Sequence, residues 1–353
     1  MRIVITGASG NVGTALVRRL STATGHELVG VVRRPPASGF AEMGWVTADL
    51  TQDSSLEALR AACTGADAVV HLAWGFQPSH DLAHLGELGI GGTRRVLEAV
   101  RDTGVSHLVH LSSVGAYSPK RDDRPVDESW PTDGVPTSPY SQHKAAAERH
   151  LDTFERDVPG TLVTRLRPGI IGQRSAGSAL LRYGLPGLVP ATVLDLLPVL
   201  PLDRSLSIPV VHADDVADAI ERVLHARVRG AFNLAAAPPV TRAVVAEVLG
   251  ARPVHVPARA LRATVSAAWH ARLLQLDPGW IDLAFAVPLL DTSRAVRELG
   301  WTPSTDAVST LRETVAGMSA ASSDATPVLR PRTVLGAVRD AVLRKPVSNR
   351  ARP

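Results

Sequence analysis

The chain has 353 residues, 45% of them hydrophobic and 20% charged, with a formal net charge of +4. That length and balance suit a globular protein with one large and one smaller domain, or one domain with a sizeable appendage, and are unlike a disordered chain. The single cysteine, Cys63, excludes an intramolecular disulfide and a cysteine-rich metal site, and points to a reducing compartment.

The charge is unevenly placed. Residues 319–353 hold seven Lys or Arg against two Asp, a local excess of +5, so residues 1–318 are close to neutral and call for no nucleic-acid surface. No metal site is expected from the 12 histidines. The best candidate for a membrane span, Gly184 to Leu202, is interrupted by Asp195 and four prolines. Met1 runs directly into the first apolar segment, which reads as leaving no room for a cleavable leader, and a cytoplasmic protein is expected.

In chain order, the apolar strand Ile3–Ile5 leads to glycines at 7, 10 and 13 and a helical pattern over Thr14–Thr22. Gly7 permits a turn that a side chain would block, Gly10 lets the backbone approach a pyrophosphate, and Gly13 lets the helix pack on the sheet. The helix's free N–H groups then face the anion, so strand, turn and helix together predict a dinucleotide site. Strands at His26–Val32, Trp45–Thr47, Ala68–Leu72, His107–Leu111 and Thr161–Arg165 alternate with helices at Ser54–Cys63, Gly92–Thr103 and Tyr140–Arg156. The alternation predicts an α/β fold, a doubly wound parallel sheet over residues 1–168 with the nucleotide at the carboxyl ends of its strands.

Beyond Pro168 the pattern dissolves into a Gly- and Pro-rich stretch over 169–210, then resumes as a helix at Asp214–Ala226 and a strand at Gly230–Leu234. Helices follow at Thr241–Leu249, Arg259–Gln275 and Thr305–Met318, with no strong strands between them. Residues 169–318 are therefore expected to form a smaller substrate-binding domain, with one strand and helix available to return to the sheet, and 319–353 a basic, flexible tail.

Tyr140 and Lys144 stand four apart at the start of a helix, so both lie on one face. A phenol of pKa about 10 is a poor base at neutral pH, and a nearby ammonium favours its ionised form. Ser113 follows the strand His107–Leu111 at the expected carboxyl edge, where its hydroxyl can hold a substrate oxygen. The three suit hydride chemistry, with Tyr140 moving the hydroxyl proton, Ser113 positioning the oxygen and Lys144 tuning Tyr140 and holding the nicotinamide ribose.

With these residues in view, the chain resembles the extended short-chain dehydrogenases/reductases, the NAD(P)-dependent epimerases, dehydratases and alcohol dehydrogenases built on a Rossmann sheet. The likeness rests on Thr6-Gly-Ala-Ser-Gly-Asn-Val-Gly13, Ala48-Asp-Leu50, Val70-His-Leu-Ala73, Leu111-Ser-Ser-Val-Gly-Ala-Tyr117, Tyr140 with Lys144, Arg167-Pro-Gly-Ile-Ile-Gly172, Val211-His-Ala-Asp-Asp-Val-Ala217 and Leu299-Gly-Trp-Thr-Pro303. It implies Ser113, rather than Ser112, as the catalytic serine. It also implies cofactor contacts at Gly7, Ser9, Gly10, Asn11, Val12, Gly13, Asp49, Leu50, Leu72, Ala73, Trp74, Pro168 and Ile170, and a homodimer through helices 92–103 and 140–156. Two departures stand out: Gly89 occupies a position where the family usually has Asn, and Val114 and Gly115 replace the acid–base pair of the dehydratase branch.

At the end of the second strand Val32 replaces the acid of NAD-dependent members and is followed by Arg33 and Arg34, so NADP is expected as cofactor, with NAD the alternative. The loop Ala73–His80 offers Trp74, Gln77, Ser79 and His80 as substrate contacts or as plain loop residues. Apolar surface in Leu180–Leu202 and in Arg259–Gln275, with Trp269, Leu273 and Leu274, favours a hydrophobic ketone or secondary alcohol as the small-molecule substrate. A sugar-nucleotide epimerase and a non-catalytic cofactor sensor are the alternatives. In the tail, Thr333–Leu343 has an amphipathic basic pattern that leaves open a membrane surface, a partner or its own body as contact.

Overall fold

A computed structural model describes residues 1–22, 25–38, 40, 43–76, 79–184 and 198–331. Its first half alternates strands and helices: β1 (Arg2–Thr6), α1 (Asn11–Leu20), β2 (Glu27–Val32), β3 (Gly44–Thr47), α2 (Ser55–Cys63), β4 (Ala68–His71), α3 (Leu82–Gly86), α4 (Gly92–Thr103), β5 (His107–Leu111), α5 (Pro139–Asp157) and β6 (Leu162–Pro168). A π-helical turn, Glu87–Gly91, joins α3 to α4. The second half contains β7 (Ile170–Gly172), α6 (Gly177–Gly184), β8 (Val199–Leu202), β9 (Ser207–His212), α7 (Ala213–Ala226), β10 (Gly230–Leu234), β11 (Ala236–Thr241), α8 (Arg242–Val248), β12 (Arg252–His255), α9 (Ala258–His270), α10 (Gly279–Ala286), α11 (Ser293–Leu299) and α12 (Ala307–Ser319).

Seven strands pair in parallel in the order β10-β6-β5-β4-β1-β2-β3. The period of two sorts their side chains onto two cores. Ile3, Ile5, Val70, Val109 and Leu166 face α1 and α7 with Phe232 and Trp301, while Val4, Val69, Leu108 and Val163 face α2, α4 and α5. The sheet is thus covered on both faces, the doubly wound Rossmann arrangement. Strand order places β4 between β1 and β5, so the chain leaving all three strands emerges side by side at the carboxyl edge.

The second half departs from the expected run of helices. β11, β9 and β7 form a three-stranded sheet and β12 pairs with β8. Prolines concealed these strands in the sequence: β11 carries Pro238 and Pro239 and β12 carries Pro253, and all three sit on edge strands, where a missing N–H is tolerated. β10 joins the large sheet beside β6, and α7 packs on α1. The start of the tail also differs from a flexible extension. Thr326 and Leu329 are buried, Ser178 N–H donates to Ser322 O at 2.7 Å, and Arg182 donates to Val328 O at 2.6 Å. The amphipathic stretch Thr333–Leu343 and residues 185–197 of the apolar stretch Leu180–Leu202 lie outside the described residues. Among the described residues no helix is long and apolar enough to cross a membrane.

Two motifs far apart in the sequence meet at the sheet's flank. Trp301 Nε1 donates to Asp215 O at 2.8 Å, and the buried Asp215 carboxylate accepts from Ser304 N and Oγ and from Thr305 N at 2.7, 2.6 and 3.2 Å. Asp215 lies in the first turn of α7, where negative charge is favoured. Asp215→Ala is expected to cost about 1.5–3 kcal/mol of stability by leaving those donors unpaired. Urea denaturation measures it, and a loss under about 0.5 kcal/mol, the level of an ordinary surface change, would mean the carboxylate does not pin this segment.

Candidate active site

The glycine turn forms where β1 ends. Gly7 has φ +73°, and a Cβ on it would lie 2.7 Å from Ala73 N, so the turn presses against the chain leaving β4. A Cβ on Gly13 would meet Gly7 O at 2.3 Å, which lets α1 start tight against the turn. Gly10 caps α1 with no side chain over its free N–H groups. This cradle, which side chains would fill, fits a pyrophosphate. Ser9 and Val12 are buried within it. Asn11 is drawn elsewhere: its Nδ2 donates to Ile171 O at 3.2 Å, and Gln173 Nε2 donates to its Oδ1 at 2.7 Å, binding the turn to β7.

Around the cradle, Arg33 is half-buried and Arg34 exposed just past β2. Burial opposes ionisation of Asp49, but hydrogen bonds from Thr51 N and Oγ1, with Arg33 nearby, hold its carboxyl below the ordinary value. Leu50 is buried, and its carbonyl accepts from Arg95 at 2.9 Å. Leu72 and Ala73 are half-buried, Pro168 is buried at the end of β6, and Ile170 is 49% exposed.

One strand over, Ser113 ends β5's extension and caps a 3₁₀ turn, its Oγ accepting from Gly115 N at 3.0 Å. Tyr140, the second residue of α5, meets Ser113 over Gly115. A Cβ on Gly115 would sit 2.9 Å from the Tyr140 ring, so the glycine standing at one of the dehydratase positions is what admits the phenol to Ser113. Burial pushes the Tyr140 hydroxyl up to about 12, with the Ser113 hydroxyl opposing it.

Lys144, one turn along α5, is 3% exposed. Its ammonium donates to Leu111 O at 2.9 Å and lies 3.5 Å from the centroid of the Trp74 indole. Burial lowers it to about 7, with Glu148 opposing the shift. Glu148 is itself buried, accepting from Ser112 Oγ at 2.6 Å, from Arg167 at 2.9 and 3.0 Å and from Arg165 at 3.1 Å. Although burial opposes ionisation, these partners hold its carboxyl down at about 2.

Trp74 reaches Lys144 because Gly89 has no side chain: a Cβ there would lie 2.9 Å from the indole Cζ2. The departure at Gly89 is therefore a steric fit, with an indole in the space that a larger residue would claim. It falls inside the π-helical turn, whose carbonyl at Gly89 accepts from Thr93 Oγ1 at 2.6 Å.

The structure brings Ser113, Tyr140, Lys144 and Trp74 together beside the cradle. It assigns the polar loop residues differently: Ser79 Oγ accepts from Asp81 N, and His80 stacks on Trp269 at 4.5 Å with its Nε2 3.0 Å from Leu274 O, while Gln77 lies outside the described residues. Sequence reasoning missed Phe76 and Trp280, both packed on Tyr140 at ring distances of 5.7 and 4.9 Å. It also missed Glu148, whose only signal was an acid one turn beyond Lys144 on the same helix.

The glycine cradle on a doubly wound sheet, with Ser, Tyr and Lys converging beside it, defines a dinucleotide-binding α/β protein. Residues 3–235 match the family model of the NAD dependent epimerase/dehydratase family, and the chain belongs to that family. It is 29% identical over 315 residues to the uncharacterized protein Rv2047c of Mycobacterium tuberculosis, covering 89% of this chain but only 29% of that one. Over 171 residues it is 29% identical to a Stigmatella aurantiaca enzyme, 4-hydroxy-2-methyl-3-oxo-4-farnesyl-3,4-dihydroquinoline-1-oxide ketoreductase, covering 48% of this chain and 50% of that one. Among solved structures, the UDP-glucose-4-epimerase of Stenotrophomonas maltophila with bound NAD superposes with a TM-score of 0.68 at 22% identity, covering 91% of this chain and 98% of that one, a likeness of fold.

Two predictions follow from the lysine's surroundings. Gly89→Ala should cost about 1–3 kcal/mol by driving a methyl into the indole. In a cycle with Trp74→Ala, the double variant should be more stable than the sum of the singles by at least about 0.5 kcal/mol, read by urea denaturation; strict additivity would separate the two residues. For pH, folded Lys144 releases its proton near 7 and an unfolded lysine near about 10.4, so the unfolded chain holds more protons in between and stability rises with pH across that window. Tyr140 acts in the opposite sense only above about 10. Unfolding free energies at pH 7 and 9 should show this slope in the native chain and a flatter one in Lys144→Met; identical slopes would remove Lys144 as its source.

Proposed function

We propose that the protein is an NADP(H)-dependent oxidoreductase that moves a hydride between the nicotinamide and an apolar secondary alcohol or ketone, with Ser113, Tyr140 and Lys144 as catalytic residues. The observation that carries the reading is Ser113 and Tyr140 meeting over Gly115 beside the glycine cradle, with Lys144 buried one turn along the same helix. When bound, the nicotinamide supplies or accepts the hydride. Ser113 hydrogen-bonds the substrate oxygen, and Tyr140 gives that oxygen its proton in reduction or takes it in oxidation. Lys144 is assigned to tune Tyr140 and to hold the nicotinamide ribose.

In this reading Gly7, Ser9, Gly10, Val12 and Gly13 hold the pyrophosphate, and Asn11 acts by fixing the turn. Asp49 and Leu50 flank the adenine, and Leu72, Ala73, Trp74, Pro168 and Ile170 border the nicotinamide. Arg33 and Arg34, at the end of β2, take the 2′-phosphate that distinguishes NADP. Residues 169–318 supply the substrate side, through α9 and α10. The ketoreductase resemblance and the rings on Tyr140 support a ketone over a sugar nucleotide. The reduced, buried Cys63 agrees with a cytoplasmic setting.

Titrating the purified protein with NADPH and NADH, followed by nicotinamide fluorescence, should show tighter NADPH binding that weakens about tenfold or more in Arg33→Ala or Arg34→Ala. Tyr140→Phe should lower ketone turnover by about 10²–10⁴-fold and leave cofactor affinity unchanged. Equal or NADH-favoured binding would remove the NADP assignment and favour epimerisation, and an active Tyr140→Phe would overturn the catalytic one.

A further inference from the structure

Aromatic residues are scarce, 14 in the whole chain, yet four of them, Trp74, Phe76, Tyr140 and Trp280, form one cluster. Trp280 lies against Tyr140 at 4.9 Å with a 32° tilt. Phe76 meets both edge-on, at 5.7 Å and 88° to Tyr140 and at 5.1 Å and 77° to Trp280. Tyr140 and Trp280 rest on a buried apolar base that includes Val114, Val135 and Leu283. Phe76, by contrast, is 41% exposed, which puts a large aromatic ring at the solvent side of the tyrosine assigned the proton transfer.

Both walls are anchored from outside the cluster. His80 stacks on Trp269 and reaches Leu274 O, tying the loop after β4 to the segment after α9. Lys120 N–H donates to Ala286 O and Val126 N–H to Leu289 O, holding the end of α10 to the chain between β5 and α5. The cluster offers ring faces, ring edges and indole N–H groups, and its four side chains carry no formal charge at neutral pH. Ring faces and edges attract another π-system beyond what burial of area alone provides, whereas a saturated ring gains only the area.

Resting on the oxidoreductase reading, we propose that Phe76 and Trp280 form a slot for a flat, unsaturated ring, and that the substrate is a ketone or alcohol borne on or beside such a ring. The ring replaces the edge contact between Phe76 and Trp280, which brings the adjoining oxygen to the Tyr140 hydroxyl. Phe76 and Trp280 are specificity residues; neither moves a proton.

Acetophenone and cyclohexyl methyl ketone share a carbon skeleton and differ in ring unsaturation, so they isolate the π contribution. Their affinities would be measured by calorimetry on the full chain, cofactor-free and saturated with the oxidised cofactor that it binds more tightly, where no turnover occurs. Acetophenone should bind about tenfold more tightly, the size expected of one or two ring contacts. Phe76→Leu and Trp280→Leu should each erase most of that preference, Phe76→Tyr should retain it, and cofactor affinity should stay unchanged in all three. Equal affinities, no measurable binding of either ketone, or a preference that survives both leucine variants would overturn the slot. Phe76 is exposed, so its variants keep the test intact if Trp280→Leu fails to fold. Failure of the oxidoreductase reading would register separately, as loss of nicotinamide binding or of turnover with every ketone.

Discussion

A lysine ammonium buried under the carboxyl edge of a sheet needs a partner on each side, and the active region is assembled from those partners. Lys144 takes the Leu111 carbonyl from β5, the Trp74 face from the loop after β4, and the field of Glu148 from its own helix. Glu148 in turn is held by Arg165 and Arg167 from β6 and by Ser112. The loop after β4, the end of β5, β6 and α5 therefore all contribute partners to this buried cluster. Desolvating so many ions is costly, and the arrangement holds because each has its counterpart; removing one leaves the others uncompensated.

The cofactor side is tied to the same apparatus through neutral groups. Thr6 Oγ1 is 2.6 Å from His71 Nδ1, His71 Nε2 is 3.1 Å from Thr93 Oγ1, and Thr93 donates to the Gly89 carbonyl. Burial pushes His71 down to about 3, so the ring stays neutral at physiological pH and can donate from one nitrogen and accept at the other. The strand that opens into the glycine cradle is thereby linked to the π-helical turn that seats Trp74.

What could be read in the sequence was what local spacing encodes. β5, α4 and β10 have the expected bounds, and the glycine cradle and the four-residue separation of Tyr140 and Lys144 need only neighbouring residues to be recognised. The rest depends on distant partners. Trp280 meets Tyr140 across 140 positions with no period to announce it. Arg165 and Arg167 look like polar residues closing a strand, yet both turn inward because Glu148 waits there, so β6 runs on to Pro168. Glycines at 86, 89, 91 and 92 masked the helical path into α4, since low helix propensity conceals a turn whose glycines serve packing.

Tyr140 has two unlike sides, one against the end of β5 and one against aromatic rings. On the sheet side, Ser113 and the missing side chain of Gly115 set the phenol's position using backbone from the β5 edge. On the other, rings from the loop after β4 and from α10 cover it. The second half is pinned within itself, away from Tyr140, by the bonds of Trp301, Ser304 and Thr305 to Asp215. Phe76 and Trp280 pack on the Tyr140 ring, whereas Trp74 also gives one face to the Lys144 ammonium and takes its seat from the missing side chain of Gly89.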